Sequence, residues 1–274
     1  MSNTENTDRI AAWRESGSGD VILFLHAFPL DSMMWEAQLG SMPEGWRAIA
    51  PDLPGFGESA PLSGVTSIDT YADAVARVLT VVGARSAVVC GLSMGGYVAL
   101  ALLRRHPELV RGLVLCDTRA EGDTTEARLA RLTLAKRVRA EGMSPVVDSL
   151  LTRLITRVTR LTKPAFAAAL ESQMRRTSPD AAASAITAMA HRRDATPVLR
   201  NIAVPTLVVV GAEDEITPPG ESQMLARSIR GARIEVIEGA GHLSNMEQPD
   251  TFNTILRSFL AAMPANEAIS SGRA

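Results

Sequence analysis

The chain has 274 residues, 46% hydrophobic and 21% charged, with 28 Lys and Arg against 30 Asp and Glu. That is enough apolar material for one large packed domain, or a core with an insertion, and it argues against disorder. A net charge of −2 lacks the basic bias of a nucleic-acid binder or of a protein drawn to an anionic membrane.

The first ten residues (MSNTENTDRI) are polar and hold no apolar signal-peptide core, so a cytoplasmic protein is expected. Residues 21–27 (VILFLHA) follow the turn sequence Gly17-Ser18-Gly19-Asp20 and form a short continuous apolar run. Such a run suits a parallel strand covered on both faces. Only residues 9–15 are available for an earlier strand. A second strand is predicted over 47–52 (RAIAPD), closed by Leu53-Pro54-Gly55. Residues 67–82 read as a helix, with Ser67 as N-cap, Asp69 in the first turn and Gly83 just past the end. A third strand spans 86–91 and feeds a helix over 95–105, stopped by His106-Pro107. A fourth strand covers 112–117 (GLVLCD). Residues 86–103 carry no charge, near the lower limit for a spanning helix, but Gly91, Ser93, Gly95 and Gly96 divide the stretch into strand and helix. Cys90 and Cys116 sit in apolar runs and read as two buried thiols rather than a disulfide.

From 119 to 200 no strand run is visible. Helix-like stretches are broken at Gly142, Pro145, Pro164, Pro179 and Pro197. Alternation returns with a strand at 205–211, a helix at 220–229, a strand at 233–237 and a helix at 249–263. The predicted class is therefore α/β, a mainly parallel sheet with helices on both faces. Residues 1–118 and 201–264 form the core, 119–200 an inserted helical cap, and 265–274 a frayed polar tail. The cap holds 13 Arg and 2 Lys against 4 Glu and 4 Asp, a net +7, which leaves −9 for the rest. Solvated helix faces account for this plainly. Attraction of an anionic substrate is the sharper reading.

The chemistry centres on Gly91-Leu92-Ser93-Met94-Gly95, a G-x-S-x-G between a β-branched strand and a helix. A serine at so tight a strand-to-helix turn is held in strained backbone, with glycines where side chains would collide. Its hydroxyl needs a base. Of the four histidines, His26 ends the first strand, His106 sits at a helix C-terminus and His191 lies in the cap beside Arg192 and Arg193. His242 follows the last strand in the small-residue loop Gly239-Ala240-Gly241, on the same sheet edge as Ser93. It is the preferred base. The carboxylate that orients it comes from Asp214, with Asp117 and Glu213 as alternatives; Asp214 yields the chain order Ser, Asp, His that accompanies this elbow. An oxyanion needs donors. The Met94 N–H is one, and the loop after the first apolar strand offers the Phe28 N–H as the other.

These pieces resemble the α/β-hydrolase-fold serine hydrolases from residue 21 to about 263. The matching motifs are LHAFP (25–29), DLPGFGES (52–59), GLSMGGYVAL (91–100), VGAEDEITPP (210–219) and GAGHLSNMEQP (239–249). The resemblance implies Ser93 as nucleophile, His242 as base and then acid, Asp214 as orienter, and Phe28 and Met94 as oxyanion donors. Ala27 stands where that family usually has glycine. Serine as nucleophile sets aside the dehalogenase and epoxide-hydrolase branches. The motifs are similar to those of bacterial carboxylesterases and 3-oxoadipate enol-lactonase-like hydrolases. Cofactor-free perhydrolases, carbon–carbon bond hydrolases and small-molecule receptors on the same fold stay as alternatives. No metal cluster, phosphate loop or dinucleotide fingerprint is visible, so neither cofactor nor metal is implied. The expected partner is a small ester or lactone, without nucleic acid or membrane; a homo-oligomer stays open. With six Phe, three Trp and two Tyr in the whole chain, an aliphatic acyl pocket is expected, with Met33, Met34 and Met246 as candidate contacts beside Met94.

Overall fold

The structure is a computed structural model that describes residues 11–264 except 63 and 65. The polar N-terminal segment and the expected frayed tail, 265–274, lie outside the described residues. Seven strands form one sheet: β1 (Trp13–Gly17), β2 (Asp20–Leu25), β3 (Trp46–Pro51), β4 (Ala87–Leu92), β5 (Val110–Cys116), β6 (Thr206–Gly211) and β7 (Arg233–Ile237). Their order is β1-β3-β2-β4-β5-β6-β7. β1 runs antiparallel to β3 and every other pairing is parallel. The central strands β2, β4, β5 and β6 are buried almost end to end, as continuous apolar runs between two layers should be.

The first half carries α1 (Glu36–Leu39), α2 (Ile68–Val81) and α3 (Met94–Arg105). α2 starts where expected: Ser67 Oγ accepts the Thr70 N–H and Thr70 Oγ1 accepts the Ser67 N–H. α3 lies against β2, β4 and β5, with α2 packed on it. The uncharged stretch at 86–103 is thus β4 and α3 joined at Ser93. Among the described residues no helix is long and apolar enough to cross a membrane. Cys90 and Cys116 are free, buried thiols on adjacent strands, their sulfurs 3.9 Å apart.

Between β5 and β6 the chain forms only helices: α4 (Thr125–Glu141), α5 (Ser144–Leu154), α6 (Arg157–Thr162), α7 (Pro164–Arg176), α8 (Pro179–Ala190) and α9 (Thr196–Leu199). Its prolines open helices rather than merely break them, since Pro145, Pro164, Pro179 and Pro197 occupy first-turn positions where a missing N–H costs nothing. The remaining helices are α10 (Pro219–Ser228), α11 (Ser244–Glu247) and α12 (Pro249–Ala261). α10 packs on β6 and β7, and α12 on β7.

Candidate active site

Ser93 stands between β4 and α3 at φ 55 and ψ −114. This is a left-handed conformation that costs a non-glycine residue about 1–3 kcal/mol. The turn is closed by the Ser93 N–H on Cys116 O at 2.9 Å and by Thr118 Oγ1 on Ser93 O at 2.8 Å. Both elbow glycines are obligatory. A Cβ on Gly91 would lie 2.2 Å from Gly95 O, and one on Gly95 would lie 2.1 Å from Leu25 O.

His242 and Asp214 arrive on the loops after β7 and β6. Ser93 Oγ is 2.8 Å from His242 Nε2, and His242 Nδ1 is 2.8 Å from Asp214 Oδ2. His242 and Asp214 are almost fully buried. With the carboxylate ionised, Nδ1 must carry the ring proton, which leaves Nε2 to accept from the serine hydroxyl. Asp214 also accepts the N–H groups of Ile216 and Thr217 on Oδ1 and the Thr217 hydroxyl on Oδ2. Burial alone would raise this carboxyl. The electrostatic attraction and hydrogen bond of His242, with the hydrogen bonds of Thr217, outweigh burial and hold it below the ordinary carboxylate value.

The other acidic candidates stand elsewhere. Glu213 is exposed. Asp117 is buried, at φ 46, and belongs to a second network: its Oδ1 accepts the Gly211 N–H at 2.8 Å and its Oδ2 the Ser244 hydroxyl. Burial and the nearby Asp214 charge push it well above the ordinary carboxyl range.

The loop after β2 is fixed from inside. His26 is wholly buried. Leu53 N–H donates to its Nε2, so its Nδ1–H donates to Ala27 O. Burial holds this imidazole below its ordinary value. The Ala27 N–H points to Met34 Sδ at 3.2 Å. Ala27 is itself fully buried, so the methyl replacing the family's usual glycine hydrogen is accommodated. Phe28 and Met94, the expected oxyanion donors, are buried on this loop and at the start of α3. In the DLPGFGES segment, Asp52 accepts the N–H groups of Ser32 and Glu58, and a Cβ on Gly57 would collide with its carboxylate at 2.2 Å.

The methionines divide. Met34 is core, 2% exposed. Met246 is half-buried at the end of the His242 loop. Met33 lines a cleft of about 460 Å³ with Arg14, Glu58 and Arg176, a polar rather than an acyl-like setting. The cap's cations are largely spent within the protein. Arg131 and Arg192 pair with Asp123, Arg137 with Glu141, Arg175 with Glu171 and Arg119 with Glu221. Arg128, Arg153 and Arg160 donate to backbone carbonyls. Arg192 also lies 4.4 Å above the Tyr97 ring. Among the described residues no cluster of His, Cys, Asp and Glu is placed to hold a metal ion.

Two residues of the site were not foreseen. Thr217 bonds Asp214 and lies 3.3 Å from His242 Nδ1; its spacing, Asp-x-x-Thr, was the available signal. Glu247 lies within the GAGHLSNMEQP motif; one partner, the Gly241 N–H, is in the same motif, and the other, the Thr156 N–H, is 91 residues away.

The family model for the alpha/beta hydrolase family matches residues 22–255. The chain belongs to the alpha/beta hydrolase family. This alpha/beta hydrolase is 30% identical over 232 residues to 3-oxoadipate enol-lactonase 2 of Acinetobacter baylyi, covering 85% of each chain. It is 32% identical over 258 residues to a pimeloyl-[acyl-carrier protein] methyl ester esterase of Neisseria meningitidis, covering 87% of this chain and 93% of that one. A thermophilic esterase from Thermogutta terrifontis, solved with malate bound, superposes with a TM-score of 0.90 at 39% identity over 92% of this chain and 93% of that one.

Proposed function

We propose that this hydrolase cleaves small carboxylic esters or lactones through an acyl-enzyme on Ser93. The observation that carries the reading is the unbroken line of hydrogen bonds from Ser93 Oγ through His242 to Asp214, at 2.8 Å and 2.8 Å. The similarity to an enol-lactonase and to two esterases supports the same bond type.

Ser93 Oγ attacks the ester carbonyl while His242 Nε2 takes its proton. Charge builds on the carbonyl oxygen, and the N–H groups of Phe28 and Met94 stabilise it; the start of α3 adds its dipole. The carbon–oxygen bond to the alcohol then breaks, and His242 returns the proton to the leaving oxygen. Water enters, gives its proton to His242 and attacks the acyl carbon, and Ser93 leaves with that proton. Asp214 keeps Nδ1 protonated throughout and stabilises the imidazolium of each step.

Hydrolysis of p-nitrophenyl esters from C2 to C12 and of simple lactones tests the reading, with Ser93→Ala beside the wild type. Turnover strongest on short acyl chains and lost in the variant is the expected result. Turnover that survives in Ser93→Ala overturns it. Peroxide supplied as competing acceptor, with peracid measured, separates hydrolysis from perhydrolysis.

A further inference from the structure

Glu247 is a buried carboxylate that the triad does not use. It is 1% exposed. Its Oε2 accepts the Gly241 N–H at 2.6 Å and its Oε1 accepts the Thr156 N–H at 2.8 Å. Gly241 immediately precedes His242. Thr156 is the N-cap of α6, inside the helical insertion. Two further bonds join the same elements: Leu243 N–H donates to Leu154 O at 3.0 Å, and Lys163 Nζ donates to Glu247 O at 3.2 Å. The base is therefore bracketed by two backbone amides. One is held by Glu247 and the other by the insertion.

The packing is built for this contact. A Cβ on Gly241 would stand 3.1 Å from Glu247 Oε2 and 3.3 Å from Thr156 N. The glycine is what lets the carboxylate and the insertion close on the loop together. A buried carboxylate is costly unless donors satisfy both oxygens, and N–H bonds to an ionised acceptor are roughly twice as strong as neutral ones. A side chain serving only to fill this space would be apolar.

We propose that Glu247 is a positioning residue that ties the insertion to the His242 loop, so that the base and the helices above the sheet edge move as one unit. The catalytic consequence rests on the triad reading above; the mechanical tie does not.

Two variants attack the tie from opposite ends. Glu247→Gln keeps the volume but offers one carbonyl oxygen, enough for Gly241 or Thr156 and not both. Thr156→Pro deletes the other donor from the insertion side and sets a ring carbon where the N–H met Glu247 Oε1. Thr156 sits at φ −61, already suited to proline, and Ile155 before it is extended. Thr156→Ala, which keeps the N–H and loses only the cap to Thr159, is the control. Hydrogen exchange of segments 150–163 and 239–249 is measured by mass spectrometry, alongside kcat and KM on a short-chain ester. Loss of a charge-assisted bond should speed exchange about 10-fold or more in both segments for Gln and Pro, and lower kcat about 10-fold with KM within about threefold. Thr156→Ala should leave segment 239–249 unchanged. Exchange confined to one segment in Glu247→Gln overturns the tie. Coupled loosening with wild-type kcat overturns the positioning role. A wild type without ester turnover refutes the proposed function, and the exchange result still decides the tie.

Discussion

Replacing Asp214 by Asn separates the two buried aspartates by chemistry rather than by size. Asp214 Oδ1 accepts two backbone N–H groups, from Ile216 and Thr217, at 2.8 Å and 3.0 Å. An Asn there must keep its carbonyl on that side, since turning it over would set its NH2 against both. The NH2 then stands where Oδ2 stood, facing the Thr217 hydroxyl at 2.7 Å and His242 Nδ1 at 2.8 Å. The hydroxyl can rotate to accept. The imidazole can accept only by moving its proton to Nε2, which then points at Ser93 Oγ and cannot take the serine proton. Loss of the reactive tautomer costs about 10⁴-fold in kcat, or roughly 5 kcal/mol of barrier. The fold should hold, because volume and two of the four bonds remain. Asp117→Asn should behave oppositely. Its carbonyl still accepts from Gly211, and the Ser244 hydroxyl, which donates to Oδ2 in the wild type, can turn to accept from its NH2. Activity within about tenfold of wild type is expected there. Steady-state kinetics on one short-chain ester decides the matter. An active Asp214→Asn together with a dead Asp117→Asn would refute the assignment.

Asp117 also sets a pH dependence. Its folded value lies above the ordinary 3.8, so the unfolded chain loses this proton first and the group's contribution to stability falls as pH rises from about 4. Asp117→Asn should remove that slope, its Tm gaining on wild type from pH 4 towards neutrality; a constant offset would refute this. Ser93→Gly should relieve the strain at φ 55 and melt about 2 °C or more above the equally inactive Ser93→Ala, net of the flexibility glycine adds to the unfolded chain. Gly95→Ala sets a methyl against Leu25 O at 2.1 Å and should cost about 3 kcal/mol or more by denaturant unfolding. Thr217→Val removes one donor from Asp214 Oδ2 and should lower kcat about 10-fold with KM little changed.

What could be read from the residues depended on how local the cause was. The elbow was legible because its glycines answer a clash within a few residues. Ser67 was legible as a cap because its partner is Thr70, three residues on. The central strands announced themselves as apolar runs, within two residues of their ends. β1 was only a vague expectation over 9–15. It is a polar edge strand with no buried residue, and its pairing with β3 gives the register that its own pattern lacks. The break between α5 and α6 carries neither proline nor glycine and was invisible. It is the place where Thr156 turns its N–H to Glu247, 91 residues away. Asp117 and Asp214 both follow strands on one sheet edge; chain order favoured Asp214, and the structure puts its Oδ2 against His242 while Asp117 bonds Gly211 and Ser244. The excess of cap arginines suggested an anionic substrate; most of those guanidinium groups are engaged by carboxylates and carbonyls of the protein itself.

The central claim is that Ser93 is a nucleophile activated by His242. Reaction of the wild-type protein with a p-nitrophenyl phosphonate, followed by intact mass and peptide mapping, tests it without knowing the substrate. One equivalent of phosphonyl on Ser93, formed in step with p-nitrophenol release and absent from His242→Ala, is the predicted result. A wild-type protein left unmodified, or one modified on Ser93 just as fast without His242, would contradict it.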